Sequence, residues 1–226
     1  MKTIDLNGNW LGSGLAPSGE TLSFAGRVPG CVHADLLRQG LIPEPFWRFN
    51  ADDCQWIENW SWSYEREFVL DDFAPGAYLQ FDGLDVYCDV YLNGRRVGSA
   101  DDMFIAHRFA AGEHLRPGKN QIKVIFYSPI ALTAGKPRRD AAFTCERLYT
   151  RRMQCTYYWD WVNRFVTFGI FRDVKICLPG AADLVDAYVY TRCADDFGAQ
   201  VGLEMGFDVR GEGAFAHLQI LSPEGE

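Results

Sequence analysis

The chain has 226 residues, 48% of them hydrophobic and 15% aromatic, which supplies a sizeable core and excludes disorder. Its formal charge of −8 excludes nucleic acid as a partner, because phosphate recognition needs a basic face. No window is long and apolar enough to span a membrane, and no apolar leader opens the chain. The seven cysteines are odd in number and show no CxxC or zinc-site spacing, so reduced thiols, a cytoplasmic location and no metal or cofactor are expected.

Taken in order, Leu6 to Trp10 reads as a short opening strand, and the following GSGLAPSGE reads as a loop. Structure is expected to resume at Phe24, turn at Val28-Pro29-Gly30, and continue as one helix from His33 to Gln39 ended by Gly40. Cys31 and His33 flank one residue, but two ligands do not make a metal site. Leu41 to Asn50 carries Pro43 and Pro45, whose missing N–H groups exclude a central strand.

From Trp60 to Leu70 apolar and polar residues alternate, the pattern of a half-buried strand. A turn over Asp71 to Gly76 and a strand over Ala77 to Leu84 follow. Cys88 to Leu92 and Arg95 to Val97 form a hairpin around Asn93-Gly94, residues that tolerate the positive φ of a type I′ turn. His107 to Phe109 and Gln121 to Tyr127 continue the strand series around a Pro117-Gly118 turn, at spacings typical of a β-sandwich.

Pro129 to Tyr149 loses the alternation and is long for a connection, which makes it a candidate functional loop. Lys136, Arg138, Arg139, Arg147, Arg151 and Arg152 read as a basic patch, either a solvated loop or a docking surface. Glu44, Asp52, Asp53 and Glu58 read as solvated carboxylates. Gln154 to Tyr158 and Ile170 to Leu178 read as strands flanking an excursion, Trp159 to Phe168, that carries the densest chemistry in the chain.

Its centre is Trp159, Asp160, Trp161. A carboxylate between two indoles is costly to bury without a donor, and a carboxylate beside flat apolar rings suits a sugar, which has an apolar C–H face and a hydroxylated rim. Core packing of the aromatics is the other reading of the same residues. After Pro179-Gly180, the stretches Asp183 to Cys193, Ala199 to Arg210 and Ala214 to Leu221 read as strands of a second domain. About 46 residues are few for an immunoglobulin-like sandwich of roughly 100, so a longer parent polypeptide is expected.

Several stretches then carry a resemblance, in order along residues 6 to 178: LNGNW, VPGCVHADLLRQGLIPEPF, WIENWSWSYEREF, FDGLDVYCDVYLNGRRVG, MFIAHRF, LRPGKNQIKVIFYSP, RRMQCTYYWDW and GIFRDVKI. The sequence resembles the N-terminal portion of a family 2 glycoside hydrolase, on its β-mannosidase branch. The resemblance implies an all-β fold: a jelly-roll, galactose-binding-like sandwich over residues 1–180, and the start of an immunoglobulin-like domain over residues 183–226. It also implies a catalytic (β/α)8 barrel beyond this chain, which would supply both carboxyl groups of a retaining exo-β-mannosidase.

On that resemblance no residue of this chain is catalytic, and the chain alone is expected to be inactive. Trp159 and Asp160 inherit contact with a terminal β-linked sugar, a mannoside, in a pocket shared with the barrel. Arg151 and Arg152 are then candidates to pair with barrel carboxylates. The family usually continues Trp-Asp-Trp with Gly-Pro, whereas this chain has Val162-Asn163, which bears on the path of the loop. Other family 2 specificities (β-galactosidase, β-glucuronidase, exo-glucosaminidase) and a free-standing carbohydrate-binding module stand as alternatives.

Overall fold

The computed structural model describes residues 2–71, 75–139, 143–213 and 215–221. The expected turn at 71–76, the middle of the 129–149 loop and the 222–226 end lie partly or wholly outside these residues. Strand makes up 46% of the chain and helix 14%, an all-β class. Contacts divide the chain into a larger unit, Thr3–Cys177, and a smaller one made of Met1–Lys2 and Leu178–Glu226.

The larger unit opens with strands β1 (Lys2–Asp5), β2 (Gly8–Leu15) and β3 (Thr21–Val28), helix α1 (Val32–Arg38), and a one-turn helix α2 (Asn50–Asp53). Strands β4 (Ser61–Leu70), β5 (Tyr78–Phe81), β6 (Leu84–Asp85), β7 (Cys88–Leu92), β8 (Arg95–Ala100), β9 (His107–Ala110) and β10 (Gly118–Phe126) follow. Short helix α3 (Pro129–Thr133) precedes β11 (Gly169–Ile170) and β12 (Val174–Leu178). Six strands form one sheet in the order β3-β2-β4-β10-β7-β8, and four form another in the order β1-β12-β5-β9.

The alternation read over Trp60 to Leu70 is what β4 uses. Trp62, Tyr64, Phe68 and Leu70 are buried, and β4 pairs with β10 from Gly118↔Leu70 to Phe126↔Trp62. Ile122, Val124 and Phe126 of β10 and Val90 and Leu92 of β7 complete that inner face, while Leu79 and Phe81 of β5 and Val174 and Ile176 of β12 supply the other. The β7–β8 hairpin turns on Asn93 and Gly94 at φ 51° and 79°, the left-handed geometry that the Asn-Gly pair predicts.

The opening segment differs from its reading as strand then loop. The strand β2 runs through Gly12 and Gly14 to Leu15, because aromatic rings occupy the space their side chains would need. A Cβ on Gly12 would lie 2.2 Å from the Phe24 ring, and one on Gly14 would lie 2.5 Å from the Trp62 ring. These glycines are hosts for the core aromatics, and Phe24 in turn meets Trp62 and Tyr64 edge-on, each at 5.8 Å.

The helix α1 is tied down through buried Asp35. The Tyr64 hydroxyl donates to it at 2.6 Å, Arg38 pairs with it at 2.6 Å, and the Arg27 backbone N–H on β3 points at it. Gly40 follows the helix at φ 66°.

In the smaller unit, β13 (Ala182–Asp195) and β14 (Gly198–Val209) form a long antiparallel hairpin. The third strand expected over Ala214 to Leu221 is not formed: Phe215 to Leu221 is irregular, and Ala214 lies outside the described residues. The fold class is a galactose-binding-like sandwich with immunoglobulin-like strands after it.

Candidate functional site: the Trp159–Val162 turn

The backbone N–H of Val162 donates to the Trp159 carbonyl at 3.3 Å, and that of Trp159 donates to the Val162 carbonyl at 3.2 Å. This reciprocal pair closes a tight turn whose two corner residues are Asp160 and Trp161. Trp161 is 70% exposed, Asp160 is exposed, and Trp159 is half-buried. The carboxylate therefore faces solvent, and the expected burial cost between two indoles does not arise. The turn displays the group instead of hiding it. Val162 supplies one of the two N–H groups that close this turn.

Before the turn, Gln154–Tyr157 is a 3-10 helix, not the strand expected over Gln154 to Tyr158. Tyr157 is fully buried there, while its neighbours Thr156 and Tyr158 are half-buried and exposed. Two guanidinium groups lie against the Tyr157 ring, Arg152 at 5.2 Å and Arg164 at 5.6 Å from its centroid, and its hydroxyl accepts from Thr150 at 3.0 Å. Burial pushes the Tyr157 phenol up, against the pull of Arg152 and Thr150.

Arg164 anchors the far limb. It grips Glu58 with two bonds, at 2.7 and 3.1 Å, reaches Glu146 at 3.3 Å and donates to the Tyr157 carbonyl at 3.4 Å. Gln55 holds the Arg164 carbonyl at 2.9 Å, and the Phe165 N–H meets the Thr156 carbonyl at 3.0 Å, so the two limbs are stitched together. Burial opposes the Arg164 charge, but Glu58 and Glu146 outweigh it and raise its pKa. Further on, Gly30 donates to the Ile170 carbonyl and Val32 to that of Phe168, both at 2.9 Å, so the Val28-Pro29-Gly30 turn pins the loop's exit.

Beneath the loop Arg152 and Asp85 form a buried ion pair at 3.0 Å, with side chains 0% and 5% exposed. Thr167 donates to the same carboxylate oxygen at 2.5 Å and accepts from Arg152 at 3.0 Å. Burial raises the Asp85 carboxyl, and Arg152 and Thr167 draw it back. His33, also buried, has its pKa lowered to about 4, first by burial and then by the Arg152 charge.

The basic patch expected from the sequence is thus dispersed. Arg152 is a core residue, Arg151 pairs with Asp102 at 2.5 Å, and Arg147 lies over the Trp159 ring at 4.9 Å. Arg152 is buried and committed to Asp85, whereas the Arg151 side chain, though paired with Asp102, is 72% exposed. Glu58 likewise leaves the solvated group, since both its oxygens and one of Glu146 converge on Arg164. The sequence reading passed over Arg164 and Phe143 as parts of the site and placed Arg147 only in the basic patch. An arginine inside an aromatic run, as Arg164 is, was the available signal.

Ala51, Asp52, Gln55, Phe143, Tyr158 and Arg164 line an open cleft of about 430 Å³ beside the turn. Among the described residues, no three His, Cys, Asp or Glu side chains gather as metal ligands, and no helix is long and apolar enough to cross a membrane.

Residues 15–172 match the family described as glycosyl hydrolase 2 galactose-binding domain-like. The chain belongs to that family. The β-mannosidase of Bos taurus is 31% identical over 225 residues, covering 92% of this chain and 25% of its own length, and that of Capra hircus matches to the same extent. The crystal structure of β-D-mannosidase from Dictyoglomus thermophilum superposes with a TM-score of 0.83 at 31% identity, over 92% of this chain and 26% of that one. An exo-chitosanase from Amycolatopsis orientalis shares the fold, with a TM-score of 0.61 at 20% identity over 86% of this chain and 22% of that one. The chain spans about a quarter of the length of the curated relatives it matches.

Proposed function

We propose that this chain is the non-catalytic N-terminal part of an exo-β-mannosidase acting with retention, and that the Trp159–Val162 turn forms one wall of its sugar pocket. Asp160 accepts hydrogen bonds from hydroxyls of a terminal β-mannose, and Trp159 provides apolar wall. The observation that carries this reading is the display of an exposed carboxylate at the corner of a braced aromatic turn, in a chain 31% identical to proteins named β-mannosidase. Retention needs two carboxyl groups about 5 to 5.5 Å apart, and the reading assigns both to a catalytic domain of the same polypeptide. A reducing, cytoplasmic setting is part of the proposal, supported by seven cysteines that are all free.

A charge-assisted hydrogen bond contributes about 1.5–3 kcal/mol. Spent in the transition state, it corresponds to roughly 10- to 150-fold in kcat/KM. Asp160→Ala in the complete polypeptide is expected to lower kcat/KM on an aryl β-mannoside by that factor. Because the side chain is exposed, stability should stay within about 0.5 kcal/mol. Wild-type kinetics in this variant would remove the site from the proposal.

A further inference from the structure

The segment 143–149, from the loop singled out in the sequence, lies over the turn and makes no sugar contact in the reading above. Phe143 packs on Tyr158 at 5.2 Å and on Trp159 at 5.1 Å, and the Arg147 guanidinium sits 4.9 Å from the Trp159 centroid and 5.7 Å from that of Phe143. Its Nε and Nη1 are buried and have no hydrogen-bond partner among the described residues. An arginine normally spends those donors on carboxylates or carbonyls, so leaving them unmet is a cost that the ring faces must offset. The backbone below is fixed independently, since the Gln154 side chain donates to the Arg147 carbonyl at 2.9 Å.

We infer that Arg147 is a positioning residue for Trp159: its guanidinium, held over the indole, fixes the ring and through it the corner that presents Asp160. This rests on the function proposed above, because only there does the angle of the turn matter to a substrate. Arg147 has no carboxylate partner among the described residues, unlike Arg151, Arg152 and Arg164. Its contacts are therefore tuned to the one element that needs orientation and not to holding the sandwich together.

The test uses the complete polypeptide with Arg147→Met, which keeps the apolar stem, and Arg147→Lys, which keeps the charge without the plane. Amide hydrogen exchange at Trp159 and Val162, the two N–H groups that close the turn, is expected to quicken roughly 3- to 30-fold in Arg147→Met and less in Arg147→Lys. On the aryl β-mannoside kcat/KM should fall by a similar factor, and should fall no further when Arg147→Met is added to Trp159→Ala. A general loss of stability would instead add in that background and overturn the inference. Unchanged exchange at Trp159 and Val162 in Arg147→Met would also overturn it, whatever the kinetics. Wild-type kinetics in Asp160→Ala with quickened exchange in Arg147→Met would refute the sugar contact and leave the positioning intact.

Discussion

Replacing Arg152 by Met tests whether the loop rests on the buried pair beneath it. The guanidinium is completely buried, and Asp85 shares its one paired oxygen between Arg152 and Thr167, its other oxygen having no partner. Removing Arg152 leaves Asp85 with a single hydroxyl donor in an apolar setting. Breaking one side of such a pair costs about 3–5 kcal/mol. At about 2–4 °C per kcal/mol for a chain of this size, the melting temperature should fall by roughly 6–20 °C.

The deficit also carries a pH signature. Burial favours the neutral Asp85 carboxyl, and Arg152 is the main force opposing it. Without Arg152 the folded-state pKa rises further above the unfolded value. Stability contributed by a group of that kind is present below its unfolded pKa and lost as pH rises through the folded one. The Arg152→Met protein should thus come nearest to wild type in acid and fall furthest behind toward neutral and alkaline pH. Urea denaturation across that range checks both statements, and Asp85→Asn combined with Arg152→Met should recover about 2 kcal/mol relative to additivity. A loss below about 1 kcal/mol, or a deficit that does not change with pH, would refute the reasoning.

His33 predicts a second pH dependence of opposite direction. Its folded pKa of about 4 lies below the ordinary histidine value of 6.5, so its contribution is present above pH 6.5 and lost as pH falls through 4, amounting to about 3 kcal/mol. His33→Gln should flatten the acid limb of a stability–pH curve, and an unchanged limb would place the acid sensitivity elsewhere. Gly12→Ala drives a methyl to within 2.2 Å of the Phe24 ring and should cost about 1–3 kcal/mol, whereas Gly135→Ala meets nothing within 4 Å and should stay within about 0.5 kcal/mol. Equal midpoints for these two variants in denaturant would contradict the account of β2.

What the sequence determined by itself is local or collinear. The alternation in β4, the Asn93-Gly94 hairpin and the α1 stop at Gly40 are legible because period, turn geometry and capping depend on residues only a few positions apart. The Trp-Asp-Trp turn was legible as composition, and the ordered run of motifs as resemblance. Tertiary structure decided which residues those elements enclose. Gly12 and Gly14 read as a loop because the rings that fill their missing side-chain volume come from other strands. Arg152 read as part of a basic patch because its partner, Asp85, lies 67 residues earlier, and only the β6–β11 pairing brings that carboxylate under the loop. Arg151 and Arg164 find Asp102 and Glu58 at 49 and 106 positions' separation, so each arginine of RRMQCTYYWDWVNR takes a carboxylate that is distant in sequence. Asp160 stays exposed at the corner closed by the hydrogen bonds between Trp159 and Val162, on a loop whose far limb is held by Glu58 and Gln55, residues distant in sequence.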